Sequence, residues 1–245
     1  MIKIENVEVM GWEAAIRGMR NPMNSWEKSD SGTCGYPHHI GCANCPDHKI
    51  CNHPFRNDGV FKLGKADYEL VMKLVKAGTD HRKFMRMITV YADITAPLYW
   101  WKEYDTYKVG TVANSCSTMH KIAEKEFTLE DFSCEHLKDF DKPLRINSNG
   151  LTKYPWFRIS LESTIDALNY ARELYLETKD KNYWWQMIQL LPSSYNQKRT
   201  VMLNYEVLAN IYKSRKNHKL DEWREFCGWI KALPYSELIT GGTDE

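Results

Sequence analysis

Leu191-Pro192, then Asn204-Tyr205-Glu206-Val207-Leu208, Ile211-Tyr212-Lys213-Ser214-Arg215 and His218-Lys219-Leu220-Asp221-Glu222-Trp223-Arg224 make up the stretch that decides the fold. Val207, Leu208, Ile211 and Tyr212 recur at helical spacing, so residues 204–215 are expected to form one α-helix. Asn204 and Arg215 stand eleven positions apart. At about 3.6 residues per turn that is close to three whole turns, which puts both polar side chains on one edge. An arginine at a helix end can fork onto a phosphate, and an asparagine offers both a donor and an acceptor. Spacing alone favours a solvated helix face. A further helix is expected over about 218–233, with Leu220, Trp223, Cys227 and Ile230 as its apolar stripe.

Working outward, Ile2, Ile4, Val7 and Val9 alternate imperfectly and predict an opening strand with a bulge or slip near Asn6. A short helix is expected over 11–20, stopped by Asn21-Pro22, and another over 65–77, closed by Gly78. Met87 to Asp93 reads as a strand, and 97–108 as an aromatic, helix-compatible segment. Residues 109–120 are small and hydroxylic and read on their own as a turn. Residues 141–157 form a Pro- and Asn-rich connection. Helices follow over 159–178 and 183–191, the second ended by Pro192. Few strands, many helices and no regular βαβ alternation predict an α+β fold: a small mixed or antiparallel sheet with several helices, in a single domain over 1–245.

Charge and composition exclude several classes. The net charge of +1 gives no bulk attraction to nucleic acid or to an acidic membrane. No run of eighteen apolar residues is present to span a bilayer. Met1-Ile2-Lys3-Ile4-Glu5 carries no apolar signal region, and seven cysteines, an odd number, argue against a disulfide framework. A reducing, cytoplasmic location is therefore expected.

Four of those cysteines, Cys34, Cys42, Cys45 and Cys51, crowd into a polar insertion at about 31–56, interleaved with His38, His39, His48 and His53. The two-residue spacing of Cys42 and Cys45 lets both sulfurs reach one metal from a tight turn. A structural zinc on Cys34, Cys42, Cys45 and Cys51 is expected, with an iron–sulfur cluster as the alternative. The segment is too poor in apolar residues to fold alone, so a metal would order it.

The order L-P, N-x-x-x-L, R and H-x-x-x-E-x-R over the last third of the chain resembles the C-terminal block of flavin-dependent thymidylate synthases. Gly78-Thr79-Asp80-His81, Trp100-Trp101 and Asn114-Ser115-Cys116-Ser117 fall in an order similar to that family's middle motifs. The resemblance implies methylation of dUMP, or of a related pyrimidine nucleotide, at C5, with FAD as cofactor and NADPH and methylenetetrahydrofolate as co-substrates. It implies that Arg215 anchors or polarises the base and is the catalytic residue. Asn114, Ser117 and Arg199 join it in binding the nucleotide, Ser117 at the phosphate. His81, Asn204, Asn210 and His218 are implied to contact flavin. A homotetramer, with active sites at subunit junctions, is implied as well.

The chain departs from that pattern at charged positions. Glu103-Tyr104-Asp105 stands where the family has R-H-R, Met119-His120 where it has R-Y, and Glu206 where it has the arginine of N-A-R. Carboxylates repel a phosphate in a partly dry pocket. Either Lys102 and Lys108 supply the cation, or the ligand differs, or activity is lost. Trp100-Trp101, beside Tyr99 and Tyr104, either stack on a flat cofactor ring or pack the core. Two classes of function follow: a flavin-dependent methyltransferase, or a non-catalytic nucleotide-binding or regulatory protein on the same scaffold.

Overall fold

A computed structural model describes residues 2–33, 61–139, 145–146, 152–153 and 156–241. The cysteines proposed as metal ligands, Cys34, Cys42, Cys45 and Cys51, lie outside the described residues. Among the described residues no group of three or more His, Cys, Asp or Glu side chains could hold a metal ion, and no helix is long and apolar enough to cross a membrane.

The chain runs β1 (Lys3–Met10), α1 (Trp12–Arg20), the short strands β2 (Gly32–Thr33) and β3 (Phe61–Lys62), then α2 (Lys65–Lys76), β4 (Thr89–Pro97) and α3 (Leu98–Tyr104). It continues through β5 (Val112–Ser115), β6 (Arg145–Ile146), β7 (Thr152–Lys153), α4 (Phe157–Thr178) and α5 (Lys181–Leu190). It closes with β8 (Asn196–Asn204), α6 (Tyr205–Arg215), α7 (Asp221–Lys231) and α8 (Glu237–Thr240). Four strands form the main sheet in the order β1-β4-β8-β5, every pair antiparallel. The α+β expectation is met.

The sheet is one-sided because β4 alternates strictly. Val90, Ala92, Ile94 and Ala96 are buried against the helices, while Tyr91 on the other face is exposed. The register shift that the sequence predicts near Asn6 is present between Glu5 and Glu8, and Asn6 sits at φ 51. Its amide donates to Asp93 Oδ2 at 2.9 Å, and Thr200 Oγ1 donates to Asp93 Oδ1 at 2.6 Å. Hydrogen bonds from Thr200, Asn6 and Lys198 hold the Asp93 carboxyl down to about 2, so a charged carboxylate ties three strands together on the outer face.

β8 was not expected from the sequence, yet it lies in the middle of the sheet. Its first half, Asn196-Gln197-Lys198-Arg199-Thr200, lacks an apolar alternation because two polar side chains, Gln197 and Arg199, occupy the inward face. Both are partnered there. Arg199 Nε donates to Gln197 Oε1 at 3.0 Å, and its guanidinium lies 4.3 Å from the Trp101 ring centroid. β5, in the segment that reads as a turn, adds an exposed edge strand through Asn114↔Thr200 and Ser115↔Arg199.

The main core lies between this sheet and α1, α2, α3, α6, α7 and α8. Trp100, Trp101, Tyr104, Trp223 and Phe226 interlock at its centre, with the centroids of contacting rings 4.8–6.4 Å apart. Of the two readings of Trp100-Trp101, core packing is therefore the one observed: both are fully buried. The helix expected over 218–233 is α7, which starts later, at Asp221, but Trp223, Cys227 and Ile230 form the buried stripe as read. A second core, built from Ile122, Phe127, Phe132, Leu161, Ile165, Leu168 and Met187, holds α4 and α5 against the 122–132 loop.

Candidate functional site

Arg215 ends α6 and enters a cluster built by three segments. Its Nη1 donates to Glu103 Oε2 at 2.6 Å, and its Nε donates to the Tyr107 hydroxyl at 2.9 Å. Its guanidinium lies 4.8 Å from the Trp223 ring centroid and 5.7 Å from that of Tyr107. The Trp223 indole N–H also donates to Glu103 Oε2, at 3.0 Å. His218 completes the cluster. Its Nδ1 accepts from the Leu220 N–H at 3.2 Å, which places the proton of the neutral ring on Nε2, 3.5 Å from Glu103 Oε2. One carboxylate is thus faced by a guanidinium, an indole and an imidazole.

The same inversion recurs twice. Asp105 pairs with Arg199 Nη1 at 2.9 Å. Glu206, 5% exposed, pairs with Arg82, with Nε to Oε2 at 2.9 Å and Nη2 to Oε1 at 3.3 Å. At each of the three positions where the resemblance expects arginine and the chain has an acid, an arginine from elsewhere neutralises that acid. Lys102 and Lys108, the candidate substitutes, are both exposed.

A half-buried hydrogen bond lies beside the cluster. The Tyr99 hydroxyl donates to Glu222, which is 5% exposed. Burial and the Glu222 carboxylate push the Tyr99 phenol well above its usual range, so it stays protonated and keeps donating. Tyr99 and Glu103 are four residues apart on α3 and share a face. They link Glu222 and Trp223 of α7 to Arg215 of α6.

The remaining sequence-predicted residues take separate places. Asn204 is the N-cap of α6: its side-chain oxygen accepts the Val207 N–H at 3.0 Å. Asn210 is exposed, and six residues place it about 240° around the helix from Asn204. His81 is exposed in the turn after Gly78, near the other end of α6 through its neighbour Arg82. Ser117 Oγ accepts from the N–H groups of Met119 and His120 at 3.2 and 2.9 Å. Asn114 pairs with Thr200 and therefore projects to the outer face of the sheet, whereas Arg199 projects inward. Arg215 and His218 are brought together. Asn114 and Arg199 are not. Asn204→Ala is expected to remove the cap and cost about 1 kcal/mol, read as a lower midpoint in urea unfolding with an unchanged slope.

The sequence reading noted Glu103 and Asp105 as departures but missed that each has an arginine partner. It also missed Tyr107, and it named Tyr99 only as an aromatic neighbour of Trp100-Trp101. The available signal was the pairing of reversed signs: acids at 103, 105 and 206, and arginines left over at 82, 199 and 215.

No protein-family model matches this sequence, and no curated protein matches it. Solved structures do. Thymidylate synthase X from Helicobacter pylori, crystallised with FAD and dUMP, aligns over 97% of this chain and 96% of its own, with TM-score 0.60 and 15% identity. A second structure of the flavin-dependent thymidylate synthase from Helicobacter pylori, complexed with FAD and dUMP, gives 0.56 and 16% over 96% of each chain. The UMP/dUMP methylase PolB from Streptomyces cacaoi, bound with 5-Br dUMP, gives 0.55 and 13% over 99% of this chain and 94% of its own. The described residues have the fold of these proteins.

Proposed function

We propose that this chain binds a pyrimidine nucleotide, dUMP or UMP, at the Arg215 cluster, and methylates it at C5 as a divergent flavin-dependent thymidylate synthase. The observation that carries the reading is the near-complete overlap with three structures that hold dUMP or an analogue of it, two of them with FAD. Support also comes from the cluster itself, where a guanidinium packed beside two aromatic rings can grip a flat polar ring.

FAD would supply the redox chemistry, with NADPH and methylenetetrahydrofolate as co-substrates. Of the residues assigned to it, His218 lies in the cluster, His81 lies towards the other end of α6, and Asn210 is exposed away from the Asn204 edge. They lie at different points along α6, and the flavin is proposed to bridge subunits of a homotetramer. Zinc on Cys34, Cys42, Cys45 and Cys51 is proposed from spacing alone. Less than one metal per chain in elemental analysis of purified protein would remove it.

The second reading, nucleotide binding without turnover, is favoured by the three neutralised arginines. The absorbance spectrum of purified protein with added FAD and dUMP separates the two. Flavin bands near about 375 and 450 nm that co-migrate with the protein, followed by methylation of dUMP, are expected for the enzyme. Nucleotide binding with no retained flavin would overturn the enzyme reading. Arg215→Ala is expected to weaken dUMP binding by about 2–4 kcal/mol. Unchanged affinity in a calorimetric titration would remove Arg215 from the site.

A further inference from the structure

We propose that Glu103 is a specificity-determining residue: its carboxylate holds the anion seat of Arg215, so the ligand group that meets Arg215 is uncharged and is not the phosphate. The inference rests on the reading of Arg215 as a ligand contact.

Three observations carry it. First, the guanidinium is the fixed member of the pair. Its side chain is 19% exposed, against 35% for Glu103, and Trp223 and Tyr107 hold it in place. Second, Glu103 is held by more than the arginine, since the Trp223 indole N–H donates to the same oxygen and His218 Nε2 faces it. Trp223 is 0% exposed, so moving Glu103 away leaves a buried N–H without its acceptor. Third, a phosphate that reached Arg215 with Glu103 in place would bring two like charges within a few ångströms in a half-dry site. A ring carbonyl brings no such repulsion and can share the guanidinium with the carboxylate. Selection against the anionic group is thus built in as a repulsive element.

The test compares 2′-deoxyuridine with dUMP, the same base without and with the phosphate. Calorimetric titration of wild type and Glu103→Gln gives the ratio of the deoxyuridine Kd to the dUMP Kd. Glutamine keeps the acceptor for Trp223 and removes the charge. The ratio is expected to rise roughly tenfold or more in Glu103→Gln, and to stay near the wild-type value in Glu103→Asp. Should Glu103→Gln not fold by circular dichroism, Glu103→Ala is expected to give the same rise. An unchanged or lower ratio, with dUMP still bound, overturns the role of Glu103 and leaves the nucleotide reading standing. Binding of neither ligand to wild type or variants overturns both together.

Discussion

Asp67→Ala is expected to cost about 3–5 kcal/mol of stability, because it strands a buried charge. Asp67 is 0% exposed and Arg20 3%. Arg20 Nε donates to Asp67 Oδ1 at 2.6 Å, while Oδ2 accepts from the Ser29 hydroxyl at 2.7 Å and from the N–H groups of Asp30 and Ser31 at 3.2 and 3.1 Å. The remaining Arg20 donors reach Ser25 and the Lys28 carbonyl. Removing the carboxylate leaves the guanidinium uncompensated and four donors without their acceptor. Chemical denaturation followed by far-ultraviolet circular dichroism measures the loss. A double change, Arg20→Met with Asp67→Leu, is expected to recover most of it, because a buried pair replaced by packed apolar groups is often neutral.

The pair also sets an acid limit. Burial raises the Asp67 pKa, but the hydrogen bonds from Ser31, Ser29 and Arg20 outweigh it, and the net shift is downward. A group whose folded pKa is depressed stabilises the fold above its unfolded pKa, about 3.9 for aspartate, and loses that contribution as pH falls through the folded value. Stability is therefore expected to drop below about pH 4 in wild type, and to drop less steeply in the double variant. From sequence Arg20 reads equally as a surface residue or as part of the Arg-bearing helix that the resemblance places near the N-terminus. The structure makes it the anchor of the 20–31 segment instead.

Trp223→Ala is expected to cost about 3–5 kcal/mol, the range for deleting a large buried aromatic side chain. Trp223 packs 4.8 Å from Trp100 and 5.9 Å from Phe226, centroid to centroid. Unlike its neighbours it also works outward, stacking on Arg215 and donating to Glu103. Trp223→Phe separates the two roles. It keeps most of the apolar area and loses the indole N–H, so the stability loss is expected to fall by more than half. The defect in dUMP affinity is expected to remain. Recovery of dUMP affinity in Trp223→Phe in step with the recovery of stability would show that Trp223 acts through packing alone.

Much of the fold was legible because its signals are local. The 3.6-residue stripes of α2, α4 and α7, the stop at Pro192 and the slip at Asn6 all follow from sterics within a few residues. β8 was not legible. Its inward Gln197 and Arg199 are tolerated only because Trp101, Asp105 and the Cys116 carbonyl meet them from elsewhere in the chain. A strand whose polar positions are satisfied by tertiary contacts has no alternation to read. The same reasoning covers the site. Arg215 was singled out for its place at the edge of a helix and by resemblance, and the structure sets it among Glu103, Tyr107, Trp223 and His218, whereas the capping role of Asn204 and the opposite faces of Asn114 and Arg199 depend on backbone geometry and strand register. Sequence showed the acids at 103, 105 and 206 as losses, since each arginine partner comes from a distant segment.

The place of β8 in the sheet also fixes an order in time. β4 pairs with it from Thr89↔Asn204 to Pro97↔Asn196, so the central ladder joins residues roughly a hundred positions apart and carries a large loop-closure cost. On a ribosome, β1 and β4 emerge and can pair early, but the inner edge of β4 has no neighbour until residue 204 has been made. During that interval β4 carries an unpaired backbone edge beside an uncovered apolar face, Val90, Ala92, Ile94 and Ala96, a combination of the kind that draws other chains into association. Synthesis of this protein therefore passes through a vulnerable stage that ends only when its last third is complete. The segment whose sequence announces the fold is also the one that closes it.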